Sequence, residues 1–350
     1  MANDPPLRTL LVGLGRIGLG FHGPALLRQP GYQLVGVVDP LPERRTGAAV
    51  TWAVPAYADF DDALAELRPE LVVIASPTRF HADQTRRALA AGAHVFCDKP
   101  VATGVEEFAT MAEAARQADR RFLAYQPARF KPELLALRAL LDRGLLGKVH
   151  LVKRARCNFV RRNDWQTLRA QGGGLLANYG SHCLDELLSL WGADPVRTVF
   201  CRMRTVVSAG DAEDVVKATL YTASGLCLDL DISQACALPG PAWQVVGAQG
   251  AAIYDAATRT WRVRYFRPEE SPAPALQTGL AAENGSYNPE TLSWREETFA
   301  AADFAEPNYY EAAERYFRDG AVPPVSLDES RQLLELIERC RRSADTGACA

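Results

Sequence analysis

A glycine-rich turn between a short apolar run and a helical stretch is the feature that most constrains this fold. The run Leu10–Val12 leads directly into Gly13-Leu14-Gly15-Arg16-Ile17-Gly18, and Asp39 ends the next apolar run. Glycines at this spacing permit a tight turn and a close backbone approach, and the helix that follows offers its N-terminus to a pyrophosphate. The carboxylate of Asp39 suits ribose hydroxyls. The sequence therefore predicts a dinucleotide-binding βαβ unit, with cofactor contacts from Gly13, Gly15, Arg16, Ile17, Gly18 and Asp39.

Short apolar runs alternate with helical patterns from residue 7 to about residue 125. The runs are rich in Val, Ile, Leu and Phe without strict alternation, which is typical of strands buried in a parallel sheet. We predict strands at Leu10–Val12, Leu34–Val38, Leu71–Ala75, His94–Cys97 and Phe122–Tyr125. We predict helices at Ile17–Leu27, Ala63–Leu67, Ala82–Ala91 and Val105–Ala118. This order predicts an α/β fold, with a Rossmann doubly wound parallel sheet over residues 1–125.

Residues 126–350 have a different pattern. A helical run at Glu133–Asp142 is followed by longer segments in which polar and apolar residues mix. Such segments favour a C-terminal α+β domain with an open, largely antiparallel sheet. The predicted strands are Val149–Arg156, Val196–Val206, Val215–Tyr221, Cys227–Ser233, Trp243–Val246 and Trp261–Phe266. The other predicted elements are helices at Leu175–Leu190, Tyr309–Arg318 and Leu327–Arg342, and a long loop at Ser271–Ser293.

Composition and charge restrict the classes of partner. The 350 residues carry a net charge of −3 with a pI near 6.0, so we expect no binding to nucleic acid or membranes. Eight cysteines lie far apart without zinc-ligand spacing, which predicts reduced thiols and no metal. The first apolar stretch is too short for a signal sequence or membrane span, which favours a cytoplasmic location. An open sheet predicts a homodimer or homotetramer through the C-terminal sheet, and the C-terminal helices are expected to pack back on the first domain.

A lysine follows one of the predicted buried strands. Val95-Phe96-Cys97 runs into Asp98-Lys99-Pro100, which places an ammonium at the carboxyl end of a parallel strand, where open α/β sheets bind ligands. The alternative is a solvated surface lysine. Close to a cationic nicotinamide ring the ammonium form is disfavoured, which makes the lysine a better proton partner near neutral pH. We predict that Lys99 acts in the chemical step and that the Lys99-Pro100 peptide bond is cis.

The loop after the strand at Leu71–Ala75 is expected to pass near the nicotinamide. Its cofactor contacts are predicted at Ser76, Pro77 and Thr78, and Asp98 joins them from the neighbouring strand. His81 is either a further contact or an exposed residue at the start of a helix. Asp39 would repel a 2′-phosphate, which favours NAD, whereas the downstream Arg44 and Arg45 leave NADP open.

Three polar residues recur at helical spacing after the triple glycine Gly172–Gly174. Asn178, His182 and Asp185 stand at i, i+4 and i+7, so one helix face would carry all three. This stripe is either a polar surface or the wall of a pocket. In a pocket, His182 accepts a proton, Asn178 positions a substrate hydroxyl, and Asp185 orients the imidazole. A lone histidine beside an amide is a poor transition-metal site.

Together these motifs resemble the Gfo/Idh/MocA oxidoreductases, which include inositol and sugar dehydrogenases. The resemblance extends over nearly the whole chain. Its main pieces are the glycine turn, Asp98-Lys99-Pro100 where the family usually has Glu-Lys-Pro, and the triple glycine through His182 and Asp185. The remaining pieces are Pro77–His81, Ala88–Val95, Arg129-Phe130 with Pro132, Gly144 with Gly147, and Ser343-Ala344 with Gly347.

The resemblance implies an NAD(P)-dependent dehydrogenase that removes a hydride from a secondary alcohol of a sugar, polyol or related compound. It implies that Lys99 contacts both cofactor and substrate and that His182 is the acid/base. Asn178 is the third catalytic candidate, at a position where active sugar and inositol dehydrogenases commonly have aspartate. Arg129 and Trp165 are further candidate substrate contacts. Two alternatives remain open: an NAD-dependent glycoside hydrolase that works by transient oxidation, and a non-catalytic NAD or sugar sensor.

Overall fold

The first domain is built on a parallel sheet. The computed structural model describes residues 5–274, 276, 278 and 291–350. Within that part of the chain, the sheet has the order β3-β2-β1-β4-β5-β6, as the Rossmann prediction requires. The strands are β1 (Leu7–Val12), β2 (Tyr32–Val38), β3 (Ala56–Tyr57), β4 (Leu71–Ile74), β5 (His94–Cys97) and β6 (Phe122–Ala124). Strands β4 and β5 are almost fully buried, which explains their unbroken apolar sequences.

The helices around this sheet include one that the sequence analysis missed. They are α1 (Gly23–Arg28), α2 (Pro42–Trp52), α3 (Phe60–Leu67), α4 (His81–Ala90) and α5 (Val105–Gln117). In α2 only Ala48 is buried, so the apolar period that predicts a helix is missing from its sequence. The proline at its first position is the remaining helix signal.

The second sheet is mixed and open. Among the described residues its order is β14-β13-β12-β11-β7-β10-β9-β8, antiparallel throughout except for the β7/β10 pair. The strands are β7 (Val149–Cys157), β8 (Val196–Arg204), β9 (Val215–Thr222), β10 (Cys227–Ser233), β11 (Trp243–Gly247), β12 (Gly250–Asp255), β13 (Thr260–Tyr265) and β14 (Arg295–Ala300). Strands β12 and β14 of this sheet were not predicted from the sequence. Strand β14 lies at an edge, and its charged sequence lacks the apolar alternation of a core strand.

The remaining helices pack on one or both of the two sheets. Helices α6 (Pro132–Asp142), α7 (Ser181–Trp191) and α9 (Leu327–Thr346) contribute to the core of the second sheet. Helix α8 (Tyr309–Asp319) packs on the first sheet instead, where Tyr309 stacks on Phe96 with ring centroids 5.9 Å apart. Leu334 of α9 also belongs to the core of the first domain. The C-terminal helices therefore contact both cores.

Two helices begin with a π-helical turn. Gly18–His22 precedes α1, and Leu176–Gly180 precedes α7. A π-helical turn closes its hydrogen bonds one residue later than an α-helix and is frequent at functional sites. The helices predicted at Ile17–Leu27 and Leu175–Leu190 therefore exist, but their side chains do not follow a uniform α-helical register.

Further sequence predictions concern a long loop, membrane-spanning helices and metal sites. The predicted loop Ser271–Ser293 lies largely outside the described residues. Where the structure describes the chain, none of its helices is both long and apolar enough to cross a bilayer. In the same residues, no group of three or more His, Cys, Asp or Glu side chains is arranged to hold a metal ion.

Candidate functional site

A cleft of about 370 Å³ lies at the carboxyl ends of the parallel strands, where an open α/β sheet binds its ligand. The segment that carries Trp165 and the triple glycine Gly172–Gly174 forms its opposite wall. The predicted site residues that line the cleft are Gly13, Gly15, Arg16, Ile17, Asp39, Ser76, Pro77, Thr78, Asp98, Lys99, Trp165 and Asn178. Four other predicted residues, Gly18, His81, Arg129 and His182, do not line it.

The glycine turn is shaped by close backbone approaches. Gly13 has φ +91°, and a Cβ added there would lie 2.5 Å from the backbone nitrogen of Ser76. A Cβ on Gly18 would overlap the carbonyl oxygen of Gly13. Gly15 is different, because a Cβ there would meet no atom within 4 Å and would point into open space. The turn therefore leaves room at Gly15 for a pyrophosphate, which fits a dinucleotide cofactor.

Asp39 is held rigidly at the end of β2. Its Oδ2 accepts a hydrogen bond from the backbone nitrogen of Leu14 at 2.8 Å, and its Oδ1 accepts one from that of Leu41 at 2.9 Å. Arg44 lies beside it, with Nη1 3.6 Å from Oδ2. Arg45 instead donates to the carbonyl oxygens of Asp39 and Pro40. A carboxylate in this position meets the ribose of a bound dinucleotide with negative charge.

Lys99 reaches across the cleft from the end of β5. Its Nζ donates hydrogen bonds to the carbonyl oxygen of Asn178 at 3.1 Å and to Asn178 Oδ1 at 3.0 Å. Burial lowers the pKa of Lys99, and the nearby Arg156 and Arg16 add to this effect although Asp98 opposes it. The Lys99-Pro100 peptide bond is cis, as predicted. Lys99 is thus a partly desolvated ammonium that links the two domains at the cleft.

Asn178 connects the lysine to the opposite wall. Its Nδ2 donates to Gln166 Oε1 at 3.2 Å, and Gln166 also accepts from Arg162. Arg162 is paired with Asp164, at 2.7 Å between Nη2 and Oδ2. Both polar atoms of the Asn178 amide are therefore hydrogen-bonded, and its oxygen faces the Lys99 ammonium.

The structure does not bring Asn178, His182 and Asp185 together as one pocket wall. Asp185 accepts two hydrogen bonds from the Arg129 guanidinium, at 3.1 and 2.5 Å, so Asp185 does not orient the imidazole. The π-helical turn that contains Asn178 shifts its register against the later residues, which the spacing i, i+4, i+7 does not take into account. Arg129 is buried and also donates to Glu329 at 2.6 Å. Arg129, in the segment before α6, thus binds both α7 and α9 outside the cleft lining.

His182 is half-buried in the first turn of α7. Its Nδ1 has no hydrogen-bond partner among the described residues, although it is shielded from solvent. Burial lowers the pKa of His182 well below its usual value, and the surrounding cations Lys99, Arg156, Lys131 and Arg154 lower it further. The imidazole is therefore neutral near pH 7 and able to accept a proton.

His81 supports the cleft from behind. It is buried, with Nε2 2.8 Å from the Ser76 carbonyl oxygen and Nδ1 3.0 Å from the Pro100 carbonyl oxygen. These two contacts tie the loop after β4 to the loop after β5. His81 thus positions two loops that line the cleft, and is itself neither exposed nor at the cleft surface.

Several polar residues of this region were missed by the sequence analysis. Gln166, Arg162 and Asp164 line the cleft, but they lie in an irregular segment without a pattern that predicts a site. Glu213 comes from the loop before β9 and accepts from the Leu176 backbone nitrogen at 3.0 Å. Gly174 has φ +119°, a conformation that favours glycine, and a Cβ there would also meet the Glu213 carboxylate. Contacts of this kind join residues distant in sequence and leave no local signal.

The fold and the cleft define a Rossmann dinucleotide-binding protein with a second domain that closes one side of the site. Two models of one family match the chain. The model described as an oxidoreductase family with an NAD-binding Rossmann fold matches residues 7–126, and the GFO/IDH/MocA C-terminal domain matches residues 134–253. The chain belongs to the Gfo/Idh/MocA oxidoreductase family, as the sequence motifs predicted.

Curated relatives include named dehydrogenases. The chain is 31% identical to D-glucoside 3-dehydrogenase of Escherichia coli over 55% of its own length and 56% of that protein. It is 24% identical to scyllo-inositol 2-dehydrogenase (NADP(+)) IolW of Bacillus subtilis over 97% of its own length and 94% of that protein. Four curated relatives, the glucoside dehydrogenase among them, are matched over only 53% to 64% of their own lengths.

A solved structure supports the fold over the whole chain. An NAD-binding protein from Listeria innocua superposes with a TM-score of 0.85, covering 99% of this chain and 97% of its own. The two sequences are 22% identical, so the likeness concerns the fold.

Proposed function

We propose that this protein is an NAD(P)-dependent dehydrogenase that oxidises a secondary alcohol of a sugar, polyol or related compound. The observation that carries the proposal is the position of Lys99, a desolvated ammonium in the same cleft as the glycine turn. Two relatives are named for a D-glucoside and for scyllo-inositol, and both compounds present secondary hydroxyls. A nicotinamide cofactor bound in the cleft supplies the hydride acceptor.

Lys99 acts on the reacting hydroxyl. Its Nζ carries three donors, and the two oxygens of Asn178 occupy two of them. The third donor is available to an alcohol oxygen in the cleft, where it stabilises the negative charge that develops as the proton leaves. Because burial lowers the pKa of Lys99, its proton is also more readily shared than that of a surface lysine.

His182 accepts the hydroxyl proton in this proposal. Its neutral imidazole has one acceptor nitrogen, and no group of the described residues is hydrogen-bonded to the ring. The lowered pKa of His182 keeps the acceptor available well below neutral pH. Asn178 holds Lys99 in place, and Trp165, which is 41% exposed, presents an aromatic surface at the rim.

A screen of alcohols with each cofactor tests the activity. Purified protein is incubated with neutral sugars, inositols and sugar acids, and the absorbance of reduced nicotinamide is followed with NAD and with NADP. We expect NADH to accumulate with at least one polyhydroxy compound. Release of sugar from a glycoside without NADH accumulation would favour the glycoside hydrolase instead, and binding without turnover would favour the sensor.

The substitution Lys99→Ala tests the role of the lysine. Loss of a positioned acid/base or electrostatic group lowers kcat by about two orders of magnitude. Lys148→Ala is the matched control, because Lys148 is an exposed lysine outside the cleft, and we expect its kcat to be unchanged. Near-normal turnover of Lys99→Ala with a correct substrate would remove Lys99 from the mechanism.

A further inference from the structure

Two arginines on one face of β7 have different surroundings. Arg154 and Arg156 are two residues apart, so both side chains point to the face that carries α7. Arg154 is buried and pairs with Glu186 of α7, at 2.6 Å between Nε and Oε2. Arg156 lies farther along the strand, where its guanidinium stacks on the Tyr179 ring, 4.0 Å from the centroid. The strand thus runs from a paired arginine toward the N-terminal end of α7.

That end of the helix carries the proposed proton acceptor. His182 is one α-helical turn before Glu186, and Tyr179 belongs to the preceding π-helical turn. Two residues along a strand span about 6.6 Å, and one helical turn spans about 5.4 Å. Because Arg154 pairs with Glu186, Arg156 is expected opposite the preceding turn of α7, which carries His182. Arg156 therefore lies on the Tyr179 and His182 side of α7.

Arg156 lacks the carboxylate that its neighbours have. Among the described residues, no hydrogen bond or ion pair is made by its guanidinium, and the Nζ of the half-buried Lys131 is also without a partner. The two carboxylates of α7 are already used, because Glu186 binds Arg154 and Asp185 binds Arg129. Two half-buried cations are thus left uncompensated beside His182. Burial makes an unpaired cation costly, which favours an anion at this place.

We propose that Arg156 binds an anionic group of the substrate, a carboxylate or a phosphate, and that this protein acts on an acidic polyhydroxy compound. The inference rests on the proposed dehydrogenase function and narrows its substrate class. A guanidinium offers a planar pair of donors that matches either anion, and its stacking on Tyr179 fixes the plane. Lys131 adds a second positive charge.

An anion at Arg156 would also help the chemical step. The cations around His182 disfavour a positive imidazolium, which opposes proton uptake during oxidation. A negative group next to Arg156 would offset part of this repulsion. An acidic substrate would therefore assist its own deprotonation, whereas a neutral substrate of the same shape would not.

Calorimetric titration of the NAD-loaded protein tests the inference. The probes are D-gluconate, D-glucose 6-phosphate and neutral D-glucose, and the variants are Arg156→Met, Arg156→Lys and the control Lys153→Met. Lys153 is an exposed cation on the opposite face of the same strand. We expect at least one anionic probe to bind about tenfold or more tightly than D-glucose. Arg156→Met should abolish this preference, Arg156→Lys should keep part of it, and Lys153→Met should leave it unchanged.

The outcomes distinguish a carboxylate from a phosphate, and they test the anion inference separately from the dehydrogenase proposal. Preference for gluconate identifies a carboxylate, preference for the phosphate ester identifies a phosphate, and preference for both supports either anion. The inference is overturned if no anionic probe binds more tightly than D-glucose, or if a folded Arg156→Met keeps the preference. NADH formation from neutral polyols alone would overturn it and leave the dehydrogenase proposal intact. Arg156-dependent anion binding without oxidation of any alcohol would support the anion site and overturn the dehydrogenase proposal.

Discussion

At the scale of single residues, the contact between Lys99 and Asn178 sets the charge of the site. An amide oxygen accepts from the ammonium without supplying a negative charge, so the pKa values of both Lys99 and His182 stay low. The related sugar and inositol dehydrogenases that the sequence resembles commonly have aspartate in place of Asn178. In those enzymes the negative charge of the aspartate would balance the positive charge of the lysine. In this chain Asn178 supplies no negative charge to balance Lys99.

The substitution Asn178→Asp should therefore raise the pKa values of both groups. A carboxylate next to Nζ favours the ammonium of Lys99, and its negative charge also favours the imidazolium of His182. Since His182 must be neutral to accept a proton, the acidic limb of the kcat/KM profile should move to higher pH, while activity is retained. The profile is measured with the substrate from the screen, and Asn178→Ala is the comparison. An unmoved profile together with a silent Asn178→Ala would exclude Asn178 from the site.

Asp39 should control the choice of cofactor. Its carboxylate is the proposed contact of the cofactor ribose, and Arg44 lies 3.6 Å from it, whereas Arg45 is occupied by backbone carbonyl oxygens. We expect the protein to bind NAD more tightly than NADP, and Asp39→Ser to weaken NAD binding about tenfold while improving NADP binding through the released Arg44. Calorimetry with both cofactors measures this, with Asp39→Ser/Arg44→Ala as the control that should lose the gain. Tighter NADP binding by the unmodified protein would reverse the assignment.

At the scale of secondary-structure elements, two glycines of the glycine turn are expected to affect different properties: Gly18 the stability of the fold, and Gly15 the binding of NAD. A methyl group on Gly18 would overlap the Gly13 carbonyl oxygen, so the turn must shift, whereas a methyl group on Gly15 meets only open space. Gly18→Ala should lower the free energy of unfolding by about 2 kcal/mol, as overpacking does. Gly15→Ala should keep normal stability and lose NAD affinity, because its methyl group occupies the space left for the pyrophosphate.

Thermal unfolding and NAD titration of the two variants test this separation. Gly20→Ala is the control, because Gly20 is exposed and lies outside the proposed phosphate position. A Cβ added to Gly20 would meet no atom within 4 Å. This substitution should change neither property beyond the helix propensity of alanine. Unchanged NAD binding by Gly15→Ala would show that the pyrophosphate does not approach this turn.

The elements that the sequence predicted are those with a dense apolar pattern. Strand β5 and strand β10 were predicted with the observed bounds, because apolar residues fill one and alternate in the other. Helix α2 and strand β14 were missed because most of their residues are exposed and polar, so burial leaves no period in the sequence. The π-helical turn before α7 was also missed, and with it the true partner of Asp185.

At the scale of the whole molecule, the site depends on contacts between distant segments. The residues of the glycine turn and of the Lys99 strand were predictable from their local motifs. The contacts of Gln166 and Glu213 and the pairing of Arg129 with Glu329 were not, since they join residues 12, 37 and 200 positions apart, beyond the reach of a local motif. Helix α9 illustrates the reason, because its residues belong to the cores of both domains and its amphipathic pattern does not say which.

The open face of the second sheet has the properties of a subunit interface. Its inner face packs on helices, whereas the other face exposes apolar side chains beside ion pairs such as Lys217 with Asp229 at 2.8 Å. Phe200, Tyr221 and Ile253 are 37% to 48% exposed there, and among the described residues no helix covers them. Large apolar residues with a polar surround are typical of a protein interface, so we expect a homodimer or homotetramer through this sheet.

Light scattering during size-exclusion chromatography tests this assembly. Tyr221→Asp combined with Ile253→Arg should shift the protein to a smaller species, because burying the new charges without partners costs several kcal/mol. Val50→Asp is the control, since Val50 is 80% exposed on α2, away from the sheet. A monomeric unmodified protein at micromolar concentration would show the sheet prediction to be wrong. If the double variant becomes smaller but still oxidises its substrate, each subunit carries a complete site, as expected from a cleft whose two walls come from one chain.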